Sequence, residues 1–93
     1  MIESFACKRT QQLYEGTGCA KAFRAFRRQA ERKLQLLDSA TTLDFLRSPP
    51  GNRLEALRGD RQGQYSIRIN DQWRLCFRFN SGAAYDVEIV DYH

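Results

Sequence analysis

Histidine is almost missing from this 93-residue chain: the only one, His93, is its last residue. A zinc site built from Cys and His is thereby disfavoured, and a Ser/His/Asp triad could draw only on the chain end. Cysteine is scarce as well. Cys7, Cys19 and Cys76 make an odd number with no paired spacing. That argues against a disulfide scaffold and for a reducing, cytoplasmic setting, with all three acting as small apolar side chains or surface thiols. No apolar run approaches the ~18 residues of a membrane helix. Met1 to Lys8 holds no basic segment followed by an apolar stretch, so no secretory signal is expected. Lysine is the last scarcity: of the 15 basic residues three are lysine and twelve are arginine.

What is present suits one folded unit. Hydrophobic residues make up 42% and charged residues 28%, a balance found in globular chains and not in disordered ones. A single domain over residues 1–93 is expected, burying somewhat over roughly 60% of its unfolded surface. The net charge of +4 alone serves solubility. The arginine bias points further, because a guanidinium is planar, always charged and grips a phosphate by two hydrogen bonds. Nucleic acid is the natural partner for such a surface.

The chain divides at Ser48-Pro49-Pro50-Gly51-Asn52, its one strong breaker. Before it, Ile2 to Phe5 suits a short strand. Lys8 to Glu15 suits a helix closed by Gly16-Thr17-Gly18. From Ala20, Phe23, Phe26, Ala30, Leu34 and Leu37 recur at three- and four-residue steps. They form the apolar stripe of a long helix that ends at Asp38-Ser39, and Thr42 to Leu46 adds a turn. Beyond the prolines the period becomes two. Leu54 to Leu57 is a strand candidate. Tyr65, Ile67 and Ile69, then Trp73, Leu75, Phe77 and Phe79, then Tyr85, Val87 and Ile89 alternate with polar neighbours across turns at Asn70-Asp71-Gln72 and Asn80-Ser81-Gly82. These are antiparallel strands joined by short turns. The expected architecture is α+β, with two N-terminal helices on one face of a small antiparallel sheet.

The alternation predicts an opposite sheet face carrying Arg68, Arg74 and Arg78, with Asp86 and Glu88 on the next strand. Cross-strand ion pairs are one reading, including a surface pair of Arg74 with Glu88. The other is a basic phosphate site, to which Arg58 and Arg61 add positive charge. The long helix offers a second basic surface in Lys21, Arg24, Arg27, Arg28, Arg32 and Lys33, opposed only by Glu31. That surface is either a solubilising face or an RNA contact. At the chain end Asp91-Tyr92-His93 gathers a carboxylate, a phenol and an imidazole. An imidazole titrates near pH ~6.5 and can exchange protons at neutral pH.

Several segments together, in order, carry a resemblance: Met1-Ile2-x-Ser4-Phe5; Asp38-x-Ala40-Thr41; Pro50-Gly51-Asn52-Arg53-Leu54-Glu55-x-Leu57-x-Gly59-x-Arg61; Gln64-x-Ser66-Ile67-Arg68; Asn70-Asp71-Gln72-Trp73-Arg74-Leu75-Cys76-Phe77; and Val87-Glu88-Ile89-Val90-Asp91-Tyr92-His93. Over essentially its whole length the chain resembles a HigB-type toxin of the RelE/ParE superfamily. The resemblance implies a RelE-like fold, a type II toxin–antitoxin pair, and cleavage of mRNA on the ribosome with no metal or other cofactor. In that chemistry the ribose 2′-OH attacks the adjacent phosphate and the 5′-oxygen leaves. It needs a base, an acid, and cations for the charge gained by the phosphate.

Position by position, the resemblance assigns Arg74 to the scissile phosphate. Arg58 stands where the best-known HigB pattern has lysine, as a second cation. Asp91, Tyr92 and His93 match the family's terminal Asp-Tyr-His, with His93 as acid or base. Glu55 departs from that pattern, which has histidine. The YoeB branch has glutamate in a similar context, so Glu55 is a candidate base. Lys21, Arg24, Arg28, Arg61, Arg68 and Arg78 are the candidate RNA contacts. The implied partners are a HigA-like helix-turn-helix antitoxin, the ribosome with its A-site message, and operator DNA only through the antitoxin; no membrane is implied. Two alternatives stand beside this reading: a ParE-like, non-nucleolytic inhibitor of DNA gyrase, and a basic RNA-binding module without turnover, whose binding would fall steeply with salt.

Overall fold

A computed structural model describes residues 1–48 and 50–91. Helix α1 spans Lys8–Glu15, the span its composition predicts. Gly16 ends it in the left-handed region at φ 77°, where a missing Cβ removes the steric cost. The next helical stretch differs from expectation. Lys21–Phe26 winds as a 3₁₀-helix, and α2 begins only at Arg27 and runs to Ser39. Phe26 sits between them at φ −127°, ψ 25°, outside helical values. The kink leaves the apolar stripe intact: Phe23, Phe26, Ala30, Leu34 and Leu37 are all buried. Both phenylalanine rings pack against Trp73, at 5.8 and 5.1 Å between centroids. Helix α3, Leu43–Arg47, is capped by Thr42, whose hydroxyl accepts from the Phe45 N–H.

The sheet has four antiparallel strands in chain order: β1 (Glu55–Ala56), β2 (Tyr65–Arg68), β3 (Trp73–Asn80) and β4 (Ala83–Asp91). Its turns follow from their residues. Asn70 Oδ1 accepts from the N–H groups of Gln72 and Trp73 and so closes the β2–β3 link. Ser81 and Gly82, at φ 51° and 79°, form the two-residue β3–β4 turn, with the doubly positive φ that matches strand twist. Ile2 to Phe5 does not make a full strand. It runs parallel beside β4 through single bridges, Ile2 to Ala84 and Phe5 to Val87.

Helices α1 and α2 cover one sheet face, and the core of Leu13, Leu34, Leu37, Ile67, Leu75, Phe77, Val87 and Ile89 lies between the layers. One predicted core position moves. Tyr85 was expected on the face of Val87 and Ile89. A β-bulge interrupts the register between Cys76 and Arg78, with Asp86 at φ 52°, and Tyr85 pairs with Arg78. An extra residue in one strand reverses the alternation before it. Tyr85 therefore joins the arginine face, and fully buried Ala84 takes its place in the core.

Candidate active site

The side of the sheet away from the helices holds Glu55, Arg68, Arg74 and Arg78 of the sequence-predicted site. Directly paired residues share a face. Register therefore builds one row from Glu55, Ser66, Cys76 and Glu88, and a second from Arg68, Arg74 and Val90. Arg74 is the centre of this surface and is far less open to solvent than the alternation suggested: it is 9% exposed. Its Nε donates to Ser66 Oγ at 2.7 Å. Its Nη2 donates to the carbonyl of Arg53 at 2.6 Å and to that of Ser66 at 3.3 Å. Nη2 also lies 3.4 Å from Glu55 Oε1. Burying a guanidinium is tolerable only with such a set of acceptors and a counter-charge.

The loop before β1 supplies half of that cradle. Arg53 adopts φ 46°, uncommon for a residue with a Cβ. Its carbonyl meets Arg74 from that backbone. Asn52, fully buried, donates from Nδ2 to the Leu46 carbonyl at 3.1 Å and accepts from the Lys33 ammonium through Oδ1. Helices α2 and α3 thus anchor the loop that ends at Glu55. Burial and then the repulsion of Arg68 hold the Lys33 ammonium below its ordinary pKa.

The counter-charges differ from the sequence reading. Glu88 pairs with Arg61, Nη1 to Oε1 at 2.8 Å, and leaves Arg74 to Glu55. Arg78 faces Asp86 at 3.4 Å, and Arg68 pairs with Asp71. The arginines of the sheet face are therefore matched by carboxylates. The unmatched charge is carried by Arg53 and Arg58, whose side chains have no ion-pair partner among the described residues. Glu55, Ala56, Leu57 and Arg58 line an open cavity of about 560 Å³. Its lining thus includes both Glu55, which faces Arg74, and Arg58.

Asp91 ends β4 opposite Trp73, on the other face from Arg74, and accepts from Gln72 Nε2 at 2.9 Å. Tyr92 and His93, the remaining sequence-predicted members, lie outside the described residues. Lys21, Arg24 and Arg28 are exposed on the helical layer, with Phe23 and Phe26 turned inward between them. The helical cations and the arginines of the sheet thus occupy opposite layers of the molecule. A second cavity, between α1 and α2, is rimmed by the carboxyl-bearing Glu15, Glu31 and Asp38, a charge that repels phosphate. Among the described residues no group of three His, Cys, Asp or Glu side chains could hold a metal ion. Among those residues, too, no helix is long and apolar enough to cross a membrane.

Sequence reasoning missed Ser66 and the Arg53 carbonyl. The signal for Ser66 was available: the turn at Asn70 fixes the β2–β3 register and sets Ser66 diagonally across from Arg74. Nothing local announced the Arg53 carbonyl.

The chain is an α+β domain with helices on one face of the sheet and an arginine cradle on the other, a fold shared with known toxins. The whole chain superposes on 98% of a chain of the YoeB–YefM complex from Staphylococcus aureus, with a TM-score of 0.58 and 18% identity. A heterotetrameric YoeB–YefM toxin–antitoxin complex of the same organism gives 0.57, also at 18% identity. The family itself follows from sequence: residues 3–93 match the model of the RelE-like toxin of type II toxin–antitoxin system HigB, and the chain belongs to that HigB-like toxin family. Toxin HigB-1 of Vibrio cholerae serotype O1 is 51% identical over 53 residues, covering 57% of this chain and 56% of that one. Endoribonuclease HigB of Proteus vulgaris is 36% identical over 94 residues and 100% of both chains.

Proposed function

We propose that this toxin is an endoribonuclease that cuts mRNA on translating ribosomes in the cytoplasm and is held in check by a HigA-like helix-turn-helix antitoxin. Operator DNA is then reached only through that antitoxin. Residues 1–93 act as one catalytic domain. Family membership and the name of the Proteus vulgaris relative support the class of reaction. The observation that carries the reading is the Arg74–Glu55 pair: a cradled, nearly buried guanidinium 3.4 Å from a carboxylate that opens to solvent.

In the proposed reaction Glu55 takes the proton of a ribose 2′-OH, and the oxygen attacks the adjacent phosphorus. Arg74 and Arg58 stabilise the charge gathering on the phosphate oxygens. Fixed donors aimed at developing charge contribute about 10²–10³ in rate each. The bond to the 5′-oxygen breaks, a 2′,3′-cyclic phosphate remains, and the leaving oxygen takes a proton from His93, with Asp91 and Tyr92 as its neighbours in the chain. Acid–base assistance adds roughly 10²–10⁴. All atoms and charges in these steps come from RNA and side chains. Lys21, Arg24, Arg28, Arg61, Arg68 and Arg78 are assigned to backbone phosphates of message and ribosomal RNA, a contact that weakens with salt.

The test is primer extension on a message translated in a purified system. Cuts within codons, dependent on ribosomes and slowed by about a hundredfold or more with Arg74→Ala and with His93→Ala, are expected. An uncut message would overturn the proposal. Gyrase-dependent DNA breaks in its place would move the chain to the ParE-like activity, and salt-sensitive RNA binding without cuts would make it a binding module.

A further inference from the structure

Arg74 carries five N–H donors in a rigid fork. Nε is committed to Ser66 Oγ, and Nη2 to the carbonyls of Arg53 and Ser66. Nη1 alone has no hydrogen-bond partner among the described residues. Nor is it sealed in, because no buried side-chain nitrogen or oxygen there lacks a partner. The guanidinium is therefore held by one edge and meets solvent by the other. Ser66 does most of the holding: it is completely buried, it accepts through both its hydroxyl and its carbonyl, and it is fixed by backbone pairing to Glu55 on one side and Cys76 on the other.

We infer that Ser66 is the positioning residue of the site: its hydroxyl locks Arg74 so that Nη1, the unspent donor, is presented to the scissile phosphodiester. The inference rests on the ribonuclease reading above and adds a residue to it. A guanidinium hung only from backbone carbonyls through Nη2 can still rotate about its terminal torsions. The Nε–H bond to Ser66 removes that freedom, and the side chain meets the phosphate already oriented. Pre-orientation of this kind appears in the chemical step more than in substrate binding. Ser66 makes no contact with RNA in this scheme and acts wholly through Arg74.

The experiment is a double-mutant cycle on ribosome-dependent mRNA cleavage with Ser66→Ala, Arg74→Ala and the pair. Ser66→Ala should lower kcat by about ten- to a hundredfold while KM stays within about twofold. In the Arg74→Ala background the same change should cost nothing further. A Ser66→Ala effect that persists undiminished without Arg74, or that falls on KM alone, would overturn the inference. Folding is checked by circular dichroism. If Ser66→Ala fails to fold, Ser66→Thr, which keeps the hydroxyl, must retain activity and the same cycle behaviour. A second readout is independent of catalysis. The ¹H–¹⁵N signal of Arg74 Nε should be protected from exchange in the wild-type toxin and lose protection in Ser66→Ala. Unprotected Nε–H in the wild type removes the lock. A protected Nε–H in a toxin that leaves message uncut removes the ribonuclease reading and keeps the lock.

Discussion

Arg74 and Arg58 are both proposed to meet the phosphate, yet the structure gives them opposite tolerance for lysine. Arg74 spends Nε on Ser66 and Nη2 on the Arg53 and Ser66 carbonyls, at 2.6–3.3 Å. It still has Nη1 to offer. Lysine has one nitrogen. Seated in the cradle, an ammonium spends its three N–H donors on Ser66 Oγ and the Arg53 and Ser66 carbonyls and has nothing left for substrate; extended towards substrate, it abandons acceptors in a site only 9% exposed. Either way the aimed donor is lost. Removing one such donor costs about 3–4 kcal/mol of transition-state stabilisation, or roughly 10²–10³ in kcat. Arg58 is exposed, and its side chain has no partner among the described residues. It can act as a mobile point charge, and lysine supplies the same charge. Arg58→Lys should therefore stay within about threefold of the wild type, some 0.6 kcal/mol.

The assay is single-turnover cleavage of a defined message on programmed ribosomes, with each variant first shown to be folded. Arg74→Lys at more than about a tenth of the wild-type rate would refute the argument from donor count. So would equal losses in the two variants, since the cradle distinguishes the sites and charge does not.

Two predictions concern stability. Burial, together with the Glu88 carboxylate, outweighs Arg61 and Arg74 and pushes the Cys76 thiol from 9.0 up to about 11. A raised folded-state value gives stability that is complete below pH 9.0 and is lost as pH rises towards 11. That loss is worth roughly 2–3 kcal/mol. Urea unfolding of the wild type should weaken over that window relative to Cys76→Ala, and parallel pH profiles would show that the thiol does not ionise there. Asn52→Ala deletes a bond to the Leu46 carbonyl and the acceptor of the Lys33 ammonium, costing about 2–3 kcal/mol. Thermal melts should fall by about 10–20 °C, and a change under about 3 °C would mean the loop before β1 is not held by Asn52.

Periodicity located the helices and strands because one-sided burial imposes it. It misplaced Tyr85 because a bulge at Asp86 is a register event: the chain must count residues against its neighbour, and alternation within one strand carries no record of the partner. The kink at Phe26 escaped notice for a related reason. Phe23 and Phe26 satisfy the apolar stripe in a 3₁₀ or an α turn alike, and the choice is made where both rings meet Trp73, about fifty residues on. Arg74 and Glu55 were identified through resemblance, and Arg74 also through its alternation with Trp73 and Leu75. Their pairing was not foreseen, and alternation suggested Glu88 as the partner. Cross-strand rows decide this. Glu88 shares a row with Cys76, and Arg61 approaches that row with a hydrogen bond at 2.8 Å, whereas Glu55 sits beside Ser66, which holds the Arg74 guanidinium.

The same geometry separates two kinds of cation in one basic chain. Arg61, Arg68 and Arg78 each have a carboxylate partner; Arg61–Glu88 is half-buried, whereas the Arg68 and Arg78 pairs reach solvent, where such a pair contributes about 0–1 kcal/mol. An exposed pair opens readily when a polyanion competes, so under the proposed function Arg68 and Arg78 are available to an RNA backbone despite their partners. Arg74 cannot be displaced in this way. Its acceptors are a buried hydroxyl and two carbonyls, which a phosphate does not replace, and only the Glu55 contact is exchangeable. An arriving phosphate therefore changes the surroundings of Glu55 more than those of Arg74. In the proposed reaction it takes up the guanidinium's free donor, next to the Nη2 that faces the Glu55 carboxylate. Under the proposed reaction, an arginine fixed by buried acceptors beside a solvent-facing glutamate lets one ion pair serve as both phosphate clamp and general base.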